Sequence, residues 1–317
     1  MKRYLARRVG QAIVVVIGVT MLAFFLQSLI ATGPALARIL IGGRAGLPQI
    51  RAFVHEYGLN APLPVQYLRY VRQLAEGNLG YSFKLGESVD SLIAQTLPKD
   101  AVLVGASLVL ALMIAIPSGV IQAARRNKLI DYVGTGISFL LYSFPYFLSG
   151  LLLIAFFAVD LHIFPAEAPQ GPTLGQIFTH PVGLILPILT LGLGNYALFS
   201  RYMRSSAVDV LTQDWIRTAR AKGLPERRVL LWHVLRNSLL SVVTLVGLSL
   251  PTIMTAGLVV EYVFNFPGTG LIFFNAAVTS DYPVELGVVV LIAIATVVGN
   301  LAADLAYAAL DPRVRYV

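Results

Sequence analysis

The chain has 317 residues, of which 57% are hydrophobic and 13% are charged, and its mean hydropathy is +0.75. This composition lies outside the range of globular domains, so much of the apolar surface must face lipid. The net charge of +8 does not indicate nucleic-acid binding, because the charged residues cluster at the ends of apolar runs. Without cysteine, and with four histidines far apart in sequence, a secreted disulfide scaffold, a zinc protein and a soluble enzyme are disfavoured.

Six uncharged apolar runs are each about long enough to cross a bilayer core, which takes roughly 20 helical residues. The runs are residues 9–30, 101–124, 132–159, 181–200, 237–260 and 286–303. Pro117, Pro145, Pro187 and Pro251 interrupt four of them, and inside a membrane such prolines usually kink a helix without ending it. The sequence therefore predicts an all-α integral membrane protein with six transmembrane helices, four of them kinked.

The first run could instead be a secretory signal, because basic residues precede it and Ala35-Leu36-Ala37 resembles a cleavage site. A signal core has about 7 to 15 apolar residues. The run 9–30 is clearly longer, which favours a retained transmembrane helix.

The distribution of Lys and Arg predicts that both termini are cytoplasmic. Most of the 24 basic residues lie at the two termini and in the loops between spans two and three and between spans four and five. Most of the others lie in the external segment 31–100, and long external segments are translocated largely regardless of charge.

The external segment 31–100 is too long for a bare loop, and its apolar spacing predicts short amphipathic helices on the outer membrane face. One helix is expected around residues 50–57, a second between Pro64 and Gly77, and a third from Val89 into the second span. A structural cap is the favoured role, and contact with an external partner or passage of a solute is the alternative.

Another external feature is the run 264–270, FNFPGTG, in which turn-forming residues follow aromatic ones. It fits either a re-entrant turn at the mouth of a pathway or an aromatic anchor at the membrane interface. The residues alone do not decide between these two interpretations.

The loop 201–237 between spans four and five is the most organised polar part of the chain. Its apolar residues Val208, Leu211, Trp215 and Ala219 are spaced as one stripe of a helix. Gly223 can adopt the left-handed geometry that ends a helix, and Pro225 suits the start of the next one. The sequence predicts a helix, a sharp turn and a second helix below the membrane, with small residues that let another protein approach the corner closely.

This loop resembles the E-A-A loop of ABC-transporter permeases, in the version found in bacterial dipeptide, oligopeptide and nickel importers. The similarity extends over almost the whole chain and is carried by MKRYLARR at the start, YGLNAPLPVQYLRYVRQLAEGNLGYS from Tyr57, RTARAKGLPERRVL from Arg217, EYVFNFPGTG from Glu261, DYP from Asp281 and ADLAYAALDPRVRY from Ala303. Arg217 and Thr218 replace the Glu and Ala of the general motif, as they do in the peptide-importer version, and Arg236 stands near its closing proline.

The resemblance implies one permease subunit of an ATP-driven importer in the bacterial cytoplasmic membrane, forming half of the pathway for dipeptides or short oligopeptides. The implied partners are a second, similar but distinct permease, two ATP-binding cassette subunits, an external solute-binding protein and the lipid membrane. Nickel chelates, haem and oligosaccharides are alternative solutes within the family. The chain lacks a G-x-x-x-x-G-K-[ST] phosphate loop, so ATP and Mg²⁺ are expected only on the cassette subunits and no enzyme activity is expected here.

Two groups of residues follow as site candidates. Those expected to couple the permease to the cassette subunits are Trp215, Arg217, Ala219, Arg220, Ala221, Lys222 and Gly223. Polar residues in or next to the spans are candidates for the solute pathway, although each could instead form a hydrogen bond with the backbone of a neighbouring helix. They are Tyr142, Ser143, Asn195, Thr252, Thr255, Glu261 and Asp304.

The main alternative function is an ion-gradient-driven secondary transporter or channel. Such proteins often carry charges in the middle of their spans and consist of repeated halves. Here no charge lies centrally in any of the six runs, and no clear internal repeat is present. The chain is therefore interpreted as a single permease domain, 1–317, with the external segment and the coupling loop as parts of it.

Overall fold

The computed structural model describes the backbone of residues 2–42 and 45–310, and the side chains of residues 8, 10–42 and 45–301. The chain forms two compact units. The first contains residues 1–99 and 267–297, and the second consists mainly of residues 100–266.

The described residues are mostly helical. In chain order the elements are α1 (Lys2–Ile30), α2 (Gly33–Ile41), α3 (Leu47–Glu56), α4 (Leu63–Ala75), β1 (Tyr81–Ser82), β2 (Glu87–Ser88), α5 (Val89–Ala124), α6 (Leu129–Ser143), α7 (Tyr146–Leu153), α8 (Leu174–Ile177), α9 (Ile185–Leu211), α10 (Asp214–Ala221), α11 (Glu226–Arg228), α12 (Leu235–Val263), α13 (Thr269–Thr279) and α14 (Tyr282–Leu310). Short π-helical segments, Ile154–Asp160 and Val229–Val234, follow α7 and α11, and a 3-10 turn, Pro181–Leu184, precedes α9.

Within the described residues, five helical stretches are long and apolar enough to cross a membrane, and the predicted multi-pass architecture is confirmed. They are Gly10–Ile30, Val89–Ala124, Pro181–Leu211, Glu226–Val263 and Tyr282–Leu301. The predicted third span is a bent pair of helices, because α6 and the helix that begins at Tyr146 meet at an angle of 103°. If this pair counts as one broken span, the described residues contain six spans, as predicted. Pro145 lacks a backbone donor and forces Phe144 into an extended conformation, whereas Pro117 and Pro251 remain inside continuous helices.

The segment 31–100 contains the two predicted amphipathic helices as α3 and α4. Ile50, Phe53 and Val54 of α3 pack against Ala37 of α2, a helix that the spacing did not predict. The third predicted helix begins at Val89 as expected but is simply the start of α5. A two-stranded antiparallel hairpin, β1 with β2, was also not predicted.

Helix α4 lies along the C-terminal half of α1. The Tyr67 hydroxyl is 3.1 Å from the Ile17 carbonyl oxygen and 3.1 Å from the Thr20 hydroxyl. Phe24 stacks on Tyr70, with ring centroids 5.8 Å apart. Aromatic contacts therefore bring α4 to the middle of the apolar part of α1.

In the first unit, a buried hydrogen bond connects the hairpin to the start of α14. Ser82 is fully buried and its hydroxyl donates a hydrogen bond to the carboxylate of Asp281, which is 3% exposed. Next to this contact, Val89 at the start of α5 packs with Val284 and Val288 of α14. This hydrogen bond joins residues that are 199 positions apart in the sequence.

In the second unit, α9 packs against α5, α6 and α12, and glycines permit close approach between α5 and α9. A Cβ at Gly119 would lie 2.9 Å from the backbone nitrogen of Arg204, and one at Gly192 would lie 2.9 Å from Leu110. Small residues at such crossings let helices pack closely in a membrane. Any side chain at Gly119 would therefore push α5 and α9 apart.

A partly buried ion pair connects the start of α6 to α9. Arg204 donates from Nε and Nη2 to the two carboxylate oxygens of Asp131, at 2.5 and 2.8 Å. Asp131 also accepts the Asn127 backbone N–H at 2.9 Å. Since the Asp131 side chain is only 3% exposed, the guanidinium is its main source of charge compensation.

The run 264–270 makes a turn whose aromatic residues point into the second unit. Phe264 and Phe266 are each 1% exposed and pack with Leu103, Leu186 and Val260. They are therefore internal core residues, so the burial contradicts the interpretation of these two residues as an interfacial aromatic anchor. After the turn, the short apolar helix α13 begins at Thr269.

Candidate functional site

The loop between α9 and α12 folds as the predicted helix, turn and helix. Helix α10 ends at Ala221, and Gly223 follows with φ +78°, a left-handed conformation that favours glycine. The Gly223 N–H donates to the Arg220 carbonyl at 2.9 Å, which closes the end of α10. Pro225 then directly precedes α11.

The predicted apolar stripe across this loop is wrong. Val208 and Leu211 belong to α9, which ends before α10 begins at Asp214, so the helical phase is reset between them. The buried face of α10 consists of Ile216, which is fully buried, and Ala219. Trp215 is instead 42% exposed.

Ile216 packs α10 against the neighbouring helices, and it was not among the residues predicted from the sequence. It packs with Ala207 of α9 and with Val229 and Val234 near the start of the next long helix. Its spacing of three residues from Ala219 is the signal that could have identified it once α10 is treated as a separate helix.

The other coupling candidates form an exposed surface around the turn. Trp215, Arg217, Arg220, Ala221, Lys222 and Gly223 are all exposed. Beyond its chain neighbours, no atom of the described residues would lie within 4 Å of a Cβ at Gly223, so glycine is required here by the backbone conformation. Ala219, in contrast, is 7% exposed and faces its own chain.

An ion pair spans the turn. Arg220 donates from Nη2 and Nε to the Glu226 carboxylate, at 2.6 and 3.1 Å. This hydrogen bonding raises the pKa of the Arg220 guanidinium above its usual value. Arg217 makes a longer contact with Asp214, at 3.4 Å. Glu226 was not among the candidates, although the sequence places it directly after Pro225 and six residues after Arg220.

The pathway candidates separate into exposed and buried residues. Tyr142, Ser143, Thr252 and Thr255 are exposed on α6 and α12, whereas Asn195 and Glu261 are 3% and 1% exposed. The position of Glu261 at the end of a span predicts an exposed side chain, but the structure buries it. Asp304 lies outside the residues whose side chains the structure describes.

Several of these polar side chains donate hydrogen bonds to backbone carbonyls of their own helix. The Asn195 amide donates to the Leu191 carbonyl at 2.8 Å, and the Ser143 and Thr255 hydroxyls donate to carbonyls four residues earlier. Beside Tyr142, the Arg201 guanidinium lies 4.5 Å from the centre of the Phe139 ring and 5.4 Å from that of Tyr142. Arg201 was not among the candidates.

Comparison with known families gives matches along nearly the entire chain. Residues 115–316 match the family described as binding-protein-dependent transport system inner membrane component. Residues 1–104 match the N-terminal family of the membrane components of such systems.

Curated relatives match from end to end. The chain is 40% identical to the oligopeptide transport system permease protein AppB of Bacillus subtilis and 35% identical to OppB of Escherichia coli K12, with 100% of each chain covered in both cases. It is 38% identical to a putative peptide permease protein of Brucella suis, over 99% of both chains.

Among solved structures, a chain from inward-facing crystals of the MetNI methionine ABC transporter has a similar fold. The TM-score is 0.54 at 16% identity, covering 69% of this chain and 96% of that one. The fold and the family matches together contradict the alternative of an ion-gradient-driven secondary transporter. The chain belongs to the family of binding-protein-dependent transport system inner membrane components, the permease subunits of ABC transporters.

Proposed function

We propose that the chain forms half of the membrane pathway of an ATP-driven importer for dipeptides or short oligopeptides. The observation that carries this proposal is the end-to-end similarity, at 40% and 35% identity, to two oligopeptide transport permeases. In such a subunit no covalent bond is made or broken, and transport consists of switching between outward and inward access.

The exposed surface around Gly223 supports contact with a cytoplasmic ATPase subunit. It offers an exposed aromatic ring, Trp215, and the exposed residues Ala221 and Lys222 at the end of a short helix that Ile216 and Ala219 hold by their burial. ATP and Mg²⁺ would be bound by two cassette subunits, because this sequence contains no phosphate-binding loop. A second, distinct permease would complete the pathway and an external solute-binding protein would deliver the peptide.

Transport by the reconstituted complex tests this function. Proteoliposomes that contain the chain, its genomic partner permease, both cassette subunits and the binding protein are expected to accumulate a labelled dipeptide or pentapeptide when ATP is supplied. An imposed proton or sodium gradient without ATP should drive no uptake. Uptake of nickel chelate, haem or an oligosaccharide, with no uptake of peptides, would contradict the proposed solute class.

The proposed topology places both termini in the cytoplasm, and cysteine labelling tests it. Lys84 and Lys222 are both exposed, and the chain has no cysteine of its own. In intact cells without an outer membrane barrier, Lys84→Cys is expected to react with an impermeant maleimide, whereas Lys222→Cys should react only after permeabilisation. The reverse pattern would show that the orientation is inverted.

A further inference from the structure

The break between α6 and α7 lies at membrane depth and is exposed in this chain. Pro145 is 14 residues beyond Asp131, the last charged residue before the apolar run 132–159. That separation is roughly 20 Å along a helix, which is inside a hydrocarbon core of about 30 Å. The residues from Tyr142 to Pro145 are all exposed. Irregular backbone at such a depth is tolerated only where protein buries it or where it lines a water-filled cavity, so this face of α6 does not contact lipid.

A cation of α9 lies on the same face of α6. The Arg201 guanidinium is over the rings of Phe139 and Tyr142, with its carbon 4.5 and 5.4 Å from the ring centres. These two rings are 50% and 57% exposed, and Arg201 itself is partly exposed. Helix α9 continues to Leu211, so Arg201 is not at a helix end. The two rings therefore hold an accessible cation beside the break.

The Arg201 guanidinium has ring contacts but forms no ion pair or hydrogen bond with any residue that the structure describes. Arg204, one turn further along α9, differs because it donates to both carboxylate oxygens of Asp131. A guanidinium has five N–H donors in its plane, and stacking on a ring face leaves these donors free. An ionisable group at membrane depth is a candidate for a solute or ion pathway.

The carboxylates of α6 and α9 do not supply the missing anion. They belong to Asp131, which is paired with Arg204, and to Asp209, which is exposed two turns beyond Arg201. Since a cation at membrane depth is costly without a counter-charge, the anion is expected to come from outside this chain. The planar fork of a guanidinium matches the geometry of a carboxylate, and every linear peptide with an unmodified C-terminus carries one.

We propose that Arg201 binds the C-terminal carboxylate of the peptide in the membrane pathway, while Phe139 and Tyr142 hold the guanidinium in place. This inference rests on the proposed function, because it takes a peptide as the solute, and it names the chemical group that this chain recognises. Arg201 is then a residue that determines specificity, since a solute with a neutral C-terminus leaves the guanidinium without a counter-charge. The Asp131–Arg204 pair keeps α9 against α6 whether or not a peptide is bound.

Uptake of two matched peptides by the reconstituted complex tests the inference. One is a tripeptide with a free C-terminal carboxylate, and the other is the same tripeptide as its C-terminal amide. Each is supplied at a concentration that saturates the binding protein, so the affinity of that protein does not affect the comparison. Arg201→Gln is expected to lower uptake of the free acid about tenfold and of the amide less than about twofold, because only the carboxylate loses a charge-assisted hydrogen bond.

Arg201→Lys tests the same charge without the amide. It retains a cation and should import the free acid within about threefold of the parent's rate. If the parent imports only the free acid, this variant decides the question, and it must exceed Arg201→Gln by at least about threefold. Equal uptake by the two variants would then overturn the inference.

Arg125→Gln is the matched control, because it removes an exposed arginine of the same unit just after the end of α5. It is expected to import both peptides as the parent does. Equal losses of both peptides in Arg201→Gln, or no loss of either, would overturn the inference. Loss of the partner permease on purification of Arg201→Gln would also overturn it and would assign the cation to a contact between the permeases. A parent complex that imports no peptide would contradict the proposed function and, with it, this inference.

Discussion

Ala219→Glu is expected to lower ATP-driven transport at least about tenfold, because it inserts a charge into the packed face of α10. Ala219 is 7% exposed and shares the inner face of α10 with the fully buried Ile216. Burying a carboxylate there, together with the extra volume, should cost more than about 3 kcal/mol and detach α10 from the long helix that follows. The measurements are uptake and co-purification of the cassette subunits at equal membrane expression.

Ala221→Glu is the matched control, since it makes the same chemical change two residues further on at an exposed position. Limited proteolysis of the purified permease should show a loosened loop for Ala219→Glu and an intact loop for Ala221→Glu. If the exposed surface binds a cassette subunit, Ala221→Glu should still weaken co-purification. Normal transport by both variants would show that this corner does not couple the two kinds of subunit.

Asp131→Asn is expected to lower the stability of the permease by about 1.5 to 3 kcal/mol, the usual cost of losing hydrogen bonds to a charged group in a partly buried ion pair. The Arg204 side chain is 29% exposed and would lose the only carboxylate that contacts it among the described residues. The amide oxygen introduced at position 131 could still accept the Asn127 N–H. The loss of stability should therefore come mainly from the unpaired arginine. The measurement is the midpoint of thermal unfolding of the purified chain in detergent.

Asp209→Asn controls for the charge change, since Asp209 is exposed on the same helix as Arg204 and should leave the midpoint within about 1 °C of the parent's. The double variant Asp131→Leu with Arg204→Met should recover much of the lost stability, because no buried charge remains. An Asp131→Asn midpoint as high as that of Asp209→Asn would mean that the ion pair does not hold α6 to α9.

Much of the fold could be predicted because its determinants are local. Apolar runs of sufficient length defined the membrane-spanning helices, and periodic apolar residues identified α3 and α4. The turn after α10 was predicted from Gly223 and Pro225, whose stereochemistry limits the chain to a few conformations. These properties depend on residues within a few positions of one another.

The candidate site was predicted less completely because periodicity fails where a helix is interrupted. Because α9 ends at Leu211 and α10 begins at Asp214, one continuous helical pattern does not hold across the loop. That pattern predicted a buried Trp215, whereas Ile216 is the buried residue. Composition also could not show that Glu261, near the end of a span, is almost fully buried. Both outcomes depend on which helices surround the residue.

The sequence by itself determined the membrane class, the multi-pass helical architecture and the turn of the coupling loop, since hydrophobicity and backbone stereochemistry act over short distances. Only the tertiary structure decided the 103° bend at Pro145, the Asp131–Arg204 ion pair and the Ser82–Asp281 hydrogen bond. It also decided that Arg201 of α9 lies over the rings of Phe139 and Tyr142. These contacts join residues from distant parts of the chain, and their partners are chosen by the packing of helices, which no local pattern encodes.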